Sequence, residues 1–166
     1  MAEFEVRAID PDVVSELLRR DDAGNSPRLL TDDEGGSPLR CCLRPAEPGE
    51  HIALVSYAPL RRWARATGAR PGPYDELGPV FIHPGSCPGP DGTGYPKWLA
   101  GGRRVFRAYS ADGGILGGRL FDPGPDCDPA TAGAVLAELL DDPAVALVHA
   151  RAVEFGCFTF EVRRAA

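Results

Sequence analysis

LVHARAVEFGCFTFEV, residues 147–162, consists of two stretches of alternating apolar and polar residues around a turn that contains Gly156. Such alternation is typical of an antiparallel hairpin with one packed face. The register that keeps the apolar face whole pairs Ala150 with Phe158 and Val148 with Phe160. The opposite face then carries His149, Arg151, Cys157, Thr159 and Glu161. This face is either solvated or part of a site, and the presence of Cys and His, which are often buried, favours a site.

The rest of the chain predicts further hairpins and few helices. Strands are expected at FEVRAI (4–9), LRCCL (39–43), EHIALVSYA (50–58) and PVFIH (79–83), with a hairpin over 103–122. Helices are expected at 11–20, at 61–66 and at 128–143, the first capped by Asp10 and the last by Asp128. This order predicts an α+β fold in a single domain, 1–166, with a mostly antiparallel sheet and two main helices packed on one face. Two breaker-rich segments, 21–37 and 84–97, are predicted to be long loops.

Composition and charge restrict the class of partner. The 166 residues carry a formal net charge of −6 and no cluster of Lys or Arg interleaved with aromatic residues, so we expect no nucleic-acid partner. No apolar stretch approaches the roughly 20 residues that span a bilayer, and the start of the chain lacks a secretory pattern. We therefore expect a soluble, cytoplasmic protein with a small-molecule partner and no membrane partner, and a homodimer is left open.

The sequence contains no strong catalytic or cofactor motif. A phosphate-binding glycine loop, a zinc-protease helix and a nucleophile elbow are all missing, so no cofactor is predicted. The five cysteines, 41, 42, 87, 127 and 157, have no zinc-knuckle spacing and are expected to be reduced. His83, His149, Cys42, Cys87 and Cys157 offer nitrogen and sulfur donors for zinc, but they are scattered singly, so no metal site is predicted. On a strand, Cys41 and Cys42 point to opposite faces and can share a metal only if the chain turns there.

Four segments resemble the bacterial domain-of-unknown-function 1203 family over residues 38–164. They are LRCCLRPAEPGEHIALVSY, GPVFIH, FRAYS and DPAVALVHARAVEFGCFTFEVRR. The resemblance marks Arg40, Cys42, His83, Arg107, Tyr109, His149, Arg151, Gly156 and Cys157. The family pattern has a further Cys where this chain has Leu39, and this chain offers Cys41 instead. The family label supplies no activity, so the resemblance implies a shared pocket and no particular reaction.

The leading hypothesis is a small cofactor-independent enzyme acting on a carboxylate- or carbonyl-bearing metabolite. Acid–base chemistry of the lyase, isomerase or cyclase type, as in specialised metabolism, would use His83, His149, Cys157, Glu161 and Glu76. Arg107 and Arg151 would clamp a substrate carboxylate, and the other predicted binding residues are Tyr109, Arg40, Cys42 and Thr159. The alternative is a non-catalytic module that binds a small molecule, a metal or a thiol-redox signal, or a subunit that works only in a complex. In either case we expect the Gly/Pro loop after His83 to fold over the polar hairpin face.

Overall fold

The computed structural model describes residues 1–166 and contains two five-stranded sheets. The strands, in chain order, are β1 (Phe4–Arg7), β2 (Arg28–Asp32), β3 (Pro38–Leu39), β4 (Arg44–Pro45), β5 (Glu50–Tyr57), β6 (Gly78–Ile82), β7 (Arg104–Tyr109), β8 (Ile115–Phe121), β9 (Leu147–Ala152) and β10 (Phe158–Arg164). The first sheet has the order β1-β10-β9-β7-β8 and the second the order β2-β5-β6-β3-β4. All pairings are antiparallel except that of β3 with β6. The α+β class is confirmed, although the strands divide into two sheets.

The closing hairpin, β9 and β10, lies at the centre of the first sheet, but its predicted register is wrong. Phe160 pairs with Ala150 and Val162 with Val148, two residues away from the prediction. The turn accounts for one of these residues, since Arg151 faces Phe158 and not Cys157. The other comes from a β-bulge between Phe158 and Phe160, which adds a residue to β10 and disrupts the ladder locally. As a result Phe158 turns away from the face that carries Phe160 and packs in the second sheet's core.

The second sheet is organised around β5, which lies between β2 and β6 as a central strand, as its two apolar faces predict. The β2 edge strand lies inside the segment predicted to be a loop, and its largely exposed side chains give no periodic apolar signal. The strand predicted at residues 39–43 is wrong. Only Pro38 and Leu39 pair as β3, after which residues 40–43 form a tight turn into β4.

Three α-helices, α1 (Pro11–Arg19), α2 (Pro59–Thr67) and α3 (Pro129–Asp141), cover the sheets. The predicted caps are confirmed, since Asp10 accepts from the amide of Asp12 and Asp128 from that of Thr131. The prediction that the main helices share one sheet face is wrong: α1 packs on β5, whereas α3 packs on the first sheet. Each sheet pairs its apolar face with its own helix, so there are two main core clusters. The longest helix has 13 residues, and no helix has the length and apolar character that crossing a bilayer requires.

Candidate metal centre

The turn between β3 and β4 brings two adjacent cysteines to the same place. Leu43 adopts φ 58°, in the left-handed region, and its amide donates to the carbonyl of Leu39 at 2.9 Å. A left-handed residue reverses the chain sharply, so the strand alternation that would separate Cys41 from Cys42 does not apply. Both thiols are buried on the side of the turn that faces the end of β6.

His83 follows directly after β6 and completes a cluster with three cysteines. Its Nδ1 lies 3.1 Å from Sγ of Cys41 and 3.8 Å from Sγ of Cys42. Cys87, four residues further along the Gly/Pro loop, adds a third sulfur. The three sulfurs and the imidazole nitrogen all lie within 4.8 Å of one another.

This donor set fits a tetrahedral zinc ion. Zinc binds sulfur at about 2.3 Å and imidazole nitrogen at about 2.0 Å, which places neighbouring donors about 3.5–3.8 Å apart. The sulfur-to-Nδ1 distance of 3.8 Å lies at the upper end of that range, and the distance of 3.1 Å lies below it. Small side-chain adjustments therefore bring the donors to bonding distance. Three thiolates with one imidazole is one of the combinations that structural zinc sites use.

The outer nitrogen of His83 is held by a carboxylate. Nε2 lies 2.7 Å from Oε1 of Glu50 and 3.0 Å from Nη2 of Arg44. In the tautomer that can bind a metal through Nδ1, the proton is on Nε2 and the carboxylate, which only accepts, receives it. The lone pair of Nδ1 then faces the sulfurs. Arg44 fixes the carboxylate with two hydrogen bonds, of 2.8 and 3.1 Å, and lowers the pKa of Glu50 to about 2. A carboxylate that orients a histidine in this way is a frequent partner of metal-binding imidazoles.

The sulfur of Cys41 also accepts the backbone N–H of His83, at 3.3 Å. The backbone N–H groups of Arg44 and Gly89 act in the same direction on Cys42 and Cys87, since each favours the thiolate and lowers the pKa of its cysteine against the effect of burial. Hydrogen bonds from the Cys41 thiol lower the pKa of Cys42 to about 6, while the same contact and burial raise the pKa of Cys41. Backbone donors aimed at sulfur stabilise the negative charge of a thiolate, which is the form that binds metals.

Two surface cavities flank the cluster. One, of about 400 Å³, lies between α1 and the start of the Gly/Pro loop and is lined by Cys41 and Cys87. The other, of about 710 Å³, lies between the β3–β4 turn and residues 88–98 and is lined by Cys42. Trp98 also lines this second cavity, which we call the loop cleft, and its indole N–H donates to the carbonyl of Leu43. The Gly/Pro loop thus folds over the cysteine cluster, and the prediction that it covers the polar hairpin face is wrong.

A family model matches residues 36–164, a segment that contains all four donor residues, including the cysteines that line the two cavities. The chain belongs to the DUF1203 family. The description of that family is "Protein of unknown function (DUF1203)". No curated protein and no solved structure matches the chain.

In this DUF1203 protein the polar face of the closing hairpin is buried between the two sheets. His149 is 1% exposed, and its Nε2 lies 3.2 Å from Oε2 of Glu161, which faces it across β9 and β10. Burial lowers the pKa of His149, so the imidazole is neutral at pH 7. The rings of Tyr109 and Phe158 lie on it at 4.9 and 5.1 Å between centroids. The alternative of a solvated face is therefore wrong.

Arg107 and Arg151, which are predicted to clamp a substrate carboxylate, both contact a carboxylate of the chain itself. Glu76, in the loop before β6, lies 2.6 Å from Nη1 of Arg107 and 3.0 Å from Nη1 of Arg151. The two arginines are on neighbouring strands, β7 and β9, which explains how they reach one carboxylate. Glu76 and the arginines predicted to hold a substrate thus form one internal ion-pair network.

The remaining predicted residues divide between the two regions. Cys42 and His83 are in the metal cluster, and Arg40 lies in the turn beside it. Thr159 is buried in the β10 bulge, while the Cys157 thiol lies near Arg40 and contacts the carbonyl of Phe155 at 3.7 Å.

Sequence reasoning missed Cys41, Arg44 and Glu50. One usable signal was present in the sequence: Cys87 follows His83 by four residues within a loop too rich in Gly and Pro to order itself.

Proposed function

We propose that this DUF1203 protein is a metal-binding protein that holds one zinc ion through Cys41, Cys42, His83 and Cys87. The observation that carries the proposal is the convergence of four donor atoms within 4.8 Å from three separate segments of the chain. Three buried or half-buried sulfurs, one of which accepts a backbone N–H, and a histidine held by Glu50 support metal ligation over simple packing of thiols.

The role of the zinc is structural. Four protein donors fill a tetrahedral site and leave no position for a substrate. The ion joins the β3–β4 turn, the end of β6 and the Gly/Pro loop, and residues 84–96 of that loop form no helix or strand of their own. Tying Cys87 to the turn therefore fixes one wall of the loop cleft, so the metal organises a binding surface.

The test compares Cys87→Ser with Cys127→Ser, since both residues are half-buried and only Cys87 lies in the cluster. Each purified protein is analysed for metal by mass spectrometry and then titrated with Co²⁺ after zinc removal. We expect equimolar zinc and thiolate-to-cobalt charge-transfer absorption in wild type and Cys127→Ser, and loss of both in Cys87→Ser. Equal metal content in the two variants would refute the assignment of Cys87, and wild type that carries no metal and takes up neither zinc nor Co²⁺ would refute the site.

The acid–base enzyme stays a prediction, and one observation favours keeping it. The buried Nδ1 of His149 has no hydrogen-bond partner, which is uncommon for a group so deeply placed. Against it, His149 is closed off from solvent and Arg107 and Arg151 are occupied by Glu76. Turnover would require the Glu76 loop to move, so the metal-binding role is the function that the geometry supports best.

A further inference from the structure

Arg107 and Arg151 present two guanidinium groups on one face of the first sheet. Arg107 faces His149 across β7 and β9, and Arg151 follows His149 by two residues, so all three side chains share that face. The two arginine side chains are 26% and 15% exposed, so solvent reaches both. Neighbouring guanidinium groups bind a carboxylate well, and the chain places that of Glu76 at 2.6 and 3.0 Å from the two Nη1 atoms.

Glu76 satisfies this arginine pair only in part. Its Oε1 accepts a hydrogen bond from Nη1 of Arg107, but its Oε2 is buried without one, since Nη1 of Arg151 is near and not aligned to donate. Asp75 has the same defect: its Oδ2 accepts from Nε of Arg61 at 3.2 Å, whereas its buried Oδ1 has no partner. A buried carboxylate oxygen without a donor is costly, so both carboxylates hold their loop weakly.

The loop that carries Glu76 has few other attachments. Residues 68–77 include no buried residue, and Ala69 at their start packs at the edge of a small core cluster. One backbone hydrogen bond joins the loop to a distant segment, from the amide of Arg70 to the carbonyl of Asp112 at 3.1 Å. A segment with so few buried contacts opens locally while the rest of the fold stays intact. Opening would withdraw the carboxylate from the arginine pair.

The unsatisfied polar atoms of the protein are concentrated at this position. Five buried side-chain polar atoms have no hydrogen-bond partner, and three of them belong to Asp75, Glu76 and His149. Such atoms are uncommon in native folds, and a bound molecule is one way to satisfy them. We propose that Arg107 and Arg151 form a binding site for the carboxylate group of a small molecule, and that Glu76 occupies this site as a displaceable internal substitute.

The class of ligand follows from the group that it replaces. A free carboxylate can make the contacts that Glu76 makes and, without the constraint of the loop, can align both oxygens with the guanidinium groups. Because Glu76 is tethered beside the site, it competes at a high effective concentration and lowers the apparent affinity of an external carboxylate. None of the proposed zinc ligands takes part, so this site and the metal centre can fail independently.

The first experiment measures the rescue of Glu76→Ala by sodium propionate, which reproduces the Glu76 side chain from Cβ outward. The melting temperature is followed against propionate concentration, with sodium chloride at matched ionic strength as the reference. Glu76→Gln, which keeps the shape of the side chain, is the second variant. The matched control is Glu138→Ala, which removes a carboxylate from an exposed pair with Arg119 alone. The double variant Glu76→Ala/Arg107→Met removes half of the arginine pair.

We expect propionate to raise the melting temperature of Glu76→Ala along a saturation curve and beyond the effect of chloride. Wild type should bind propionate about tenfold more weakly or less, because its own carboxylate competes, and Glu76→Gln should bind more tightly than wild type. Glu138→Ala and the double variant should respond to propionate as they respond to chloride. A Glu76→Ala protein that responds no more than Glu138→Ala would overturn the binding site.

The second experiment tests displacement in the wild-type protein. Hydrogen exchange, followed by nuclear magnetic resonance, compares the hydrogen-bonded loop amides of Arg70, Tyr74 and Asp75 with the amide of Ala146, which is bonded to β7. We expect protection factors about tenfold or more lower in the loop, and lower still when propionate is added. Loop amides as protected as Ala146, or unchanged by propionate concentrations that raise the wild-type melting temperature, would overturn displacement. Zinc content measured on the same samples separates either result from a failure of the metal centre.

Discussion

Replacing Glu50 with Gln tests the carboxylate that orients His83 in the proposed metal centre. In the wild-type protein Oε1 of Glu50 lies 2.7 Å from Nε2 of His83. Gln keeps a carbonyl oxygen that can accept the same hydrogen bond, and its side chain has the same shape and length. What it removes is the negative charge, which raises the basicity of the imidazole and also receives two hydrogen bonds from Arg44. The substitution thus weakens the ligand without deleting it.

The expected magnitude follows from the position of Glu50. Mutation of a residue that holds a metal-binding histidine typically weakens metal affinity about 10- to 100-fold, which is about 1.4–2.7 kcal/mol. Because Arg44 also loses its ion pair and contacts His83 at 3.0 Å, we expect a value in the upper half of that range.

The assay is competition for zinc with a chromophoric chelator, which gives the zinc dissociation constant of each protein. The matched control is Glu138→Gln on α3, the helix that packs on the first sheet, which removes a carboxylate from an exposed ion pair with Arg119. The control should bind zinc as wild type does. A Glu50→Gln protein whose zinc affinity lies within about twofold of wild type would refute the orienting role, because the charge would then have no effect on the metal.

Three further predictions concern the rest of the fold. His149→Gln should flatten the pH dependence of the free energy of unfolding, measured in urea. Because burial lowers the pKa of His149, the unfolded chain takes up a proton that the folded chain does not, so wild type loses stability below about pH 6.5, by at most about 1.4 kcal/mol per pH unit. Parallel curves of stability against pH for the two proteins would contradict this. Glu76→Ala should cost about 1–3 kcal/mol in urea denaturation by leaving Arg107 and Arg151 unpaired, and a loss below about 0.5 kcal/mol would mean that the network contributes no more than an exposed ion pair. Gly101→Ala should lower the melting temperature, because the new Cβ would lie 2.5 Å from the Pro125 carbonyl oxygen, whereas Gly92→Ala, with open space around it, should leave it unchanged.

The parts of the fold that local chemistry determines were predictable. The Asp caps of α1 and α3 and the central strand β5 each follow from residues within one segment, and the structure confirms them. The register of the closing hairpin was not predictable, because the extra residue in the β10 bulge leaves the apolar alternation of each arm intact. Only the hydrogen bonds to β9 reveal that Phe158 and Phe160 face opposite sides.

The candidate metal centre shows a different limit. The argument against Cys41 and Cys42 depended on their lying in a strand, and the left-handed Leu43 that makes the turn instead is a residue type that seldom adopts that conformation. The other donors, His83 and Cys87, come from a segment about 40 residues away that only the parallel pairing of β3 with β6 brings alongside. Spacing along the chain therefore carries little of the signal.

Arg107 and Arg151 show that the partner of a polar residue also depends on contacts between distant segments. The sequence predicts that Arg107 and Arg151 clamp the carboxylate of a substrate; in the structure the two arginines come together because β7 and β9 are neighbours. It cannot predict that the carboxylate is that of Glu76, since nothing local places that loop over the sheet.

The most direct test of the account is the metal content of the wild-type protein, purified without added metal or chelator and measured by inductively coupled plasma mass spectrometry alongside Cys87→Ser. The account predicts equimolar zinc in wild type and its loss in the variant. Wild type that carries no more zinc than Cys87→Ser, and that takes up none when zinc is supplied, would contradict the assignment of Cys41, Cys42, His83 and Cys87 as a metal centre.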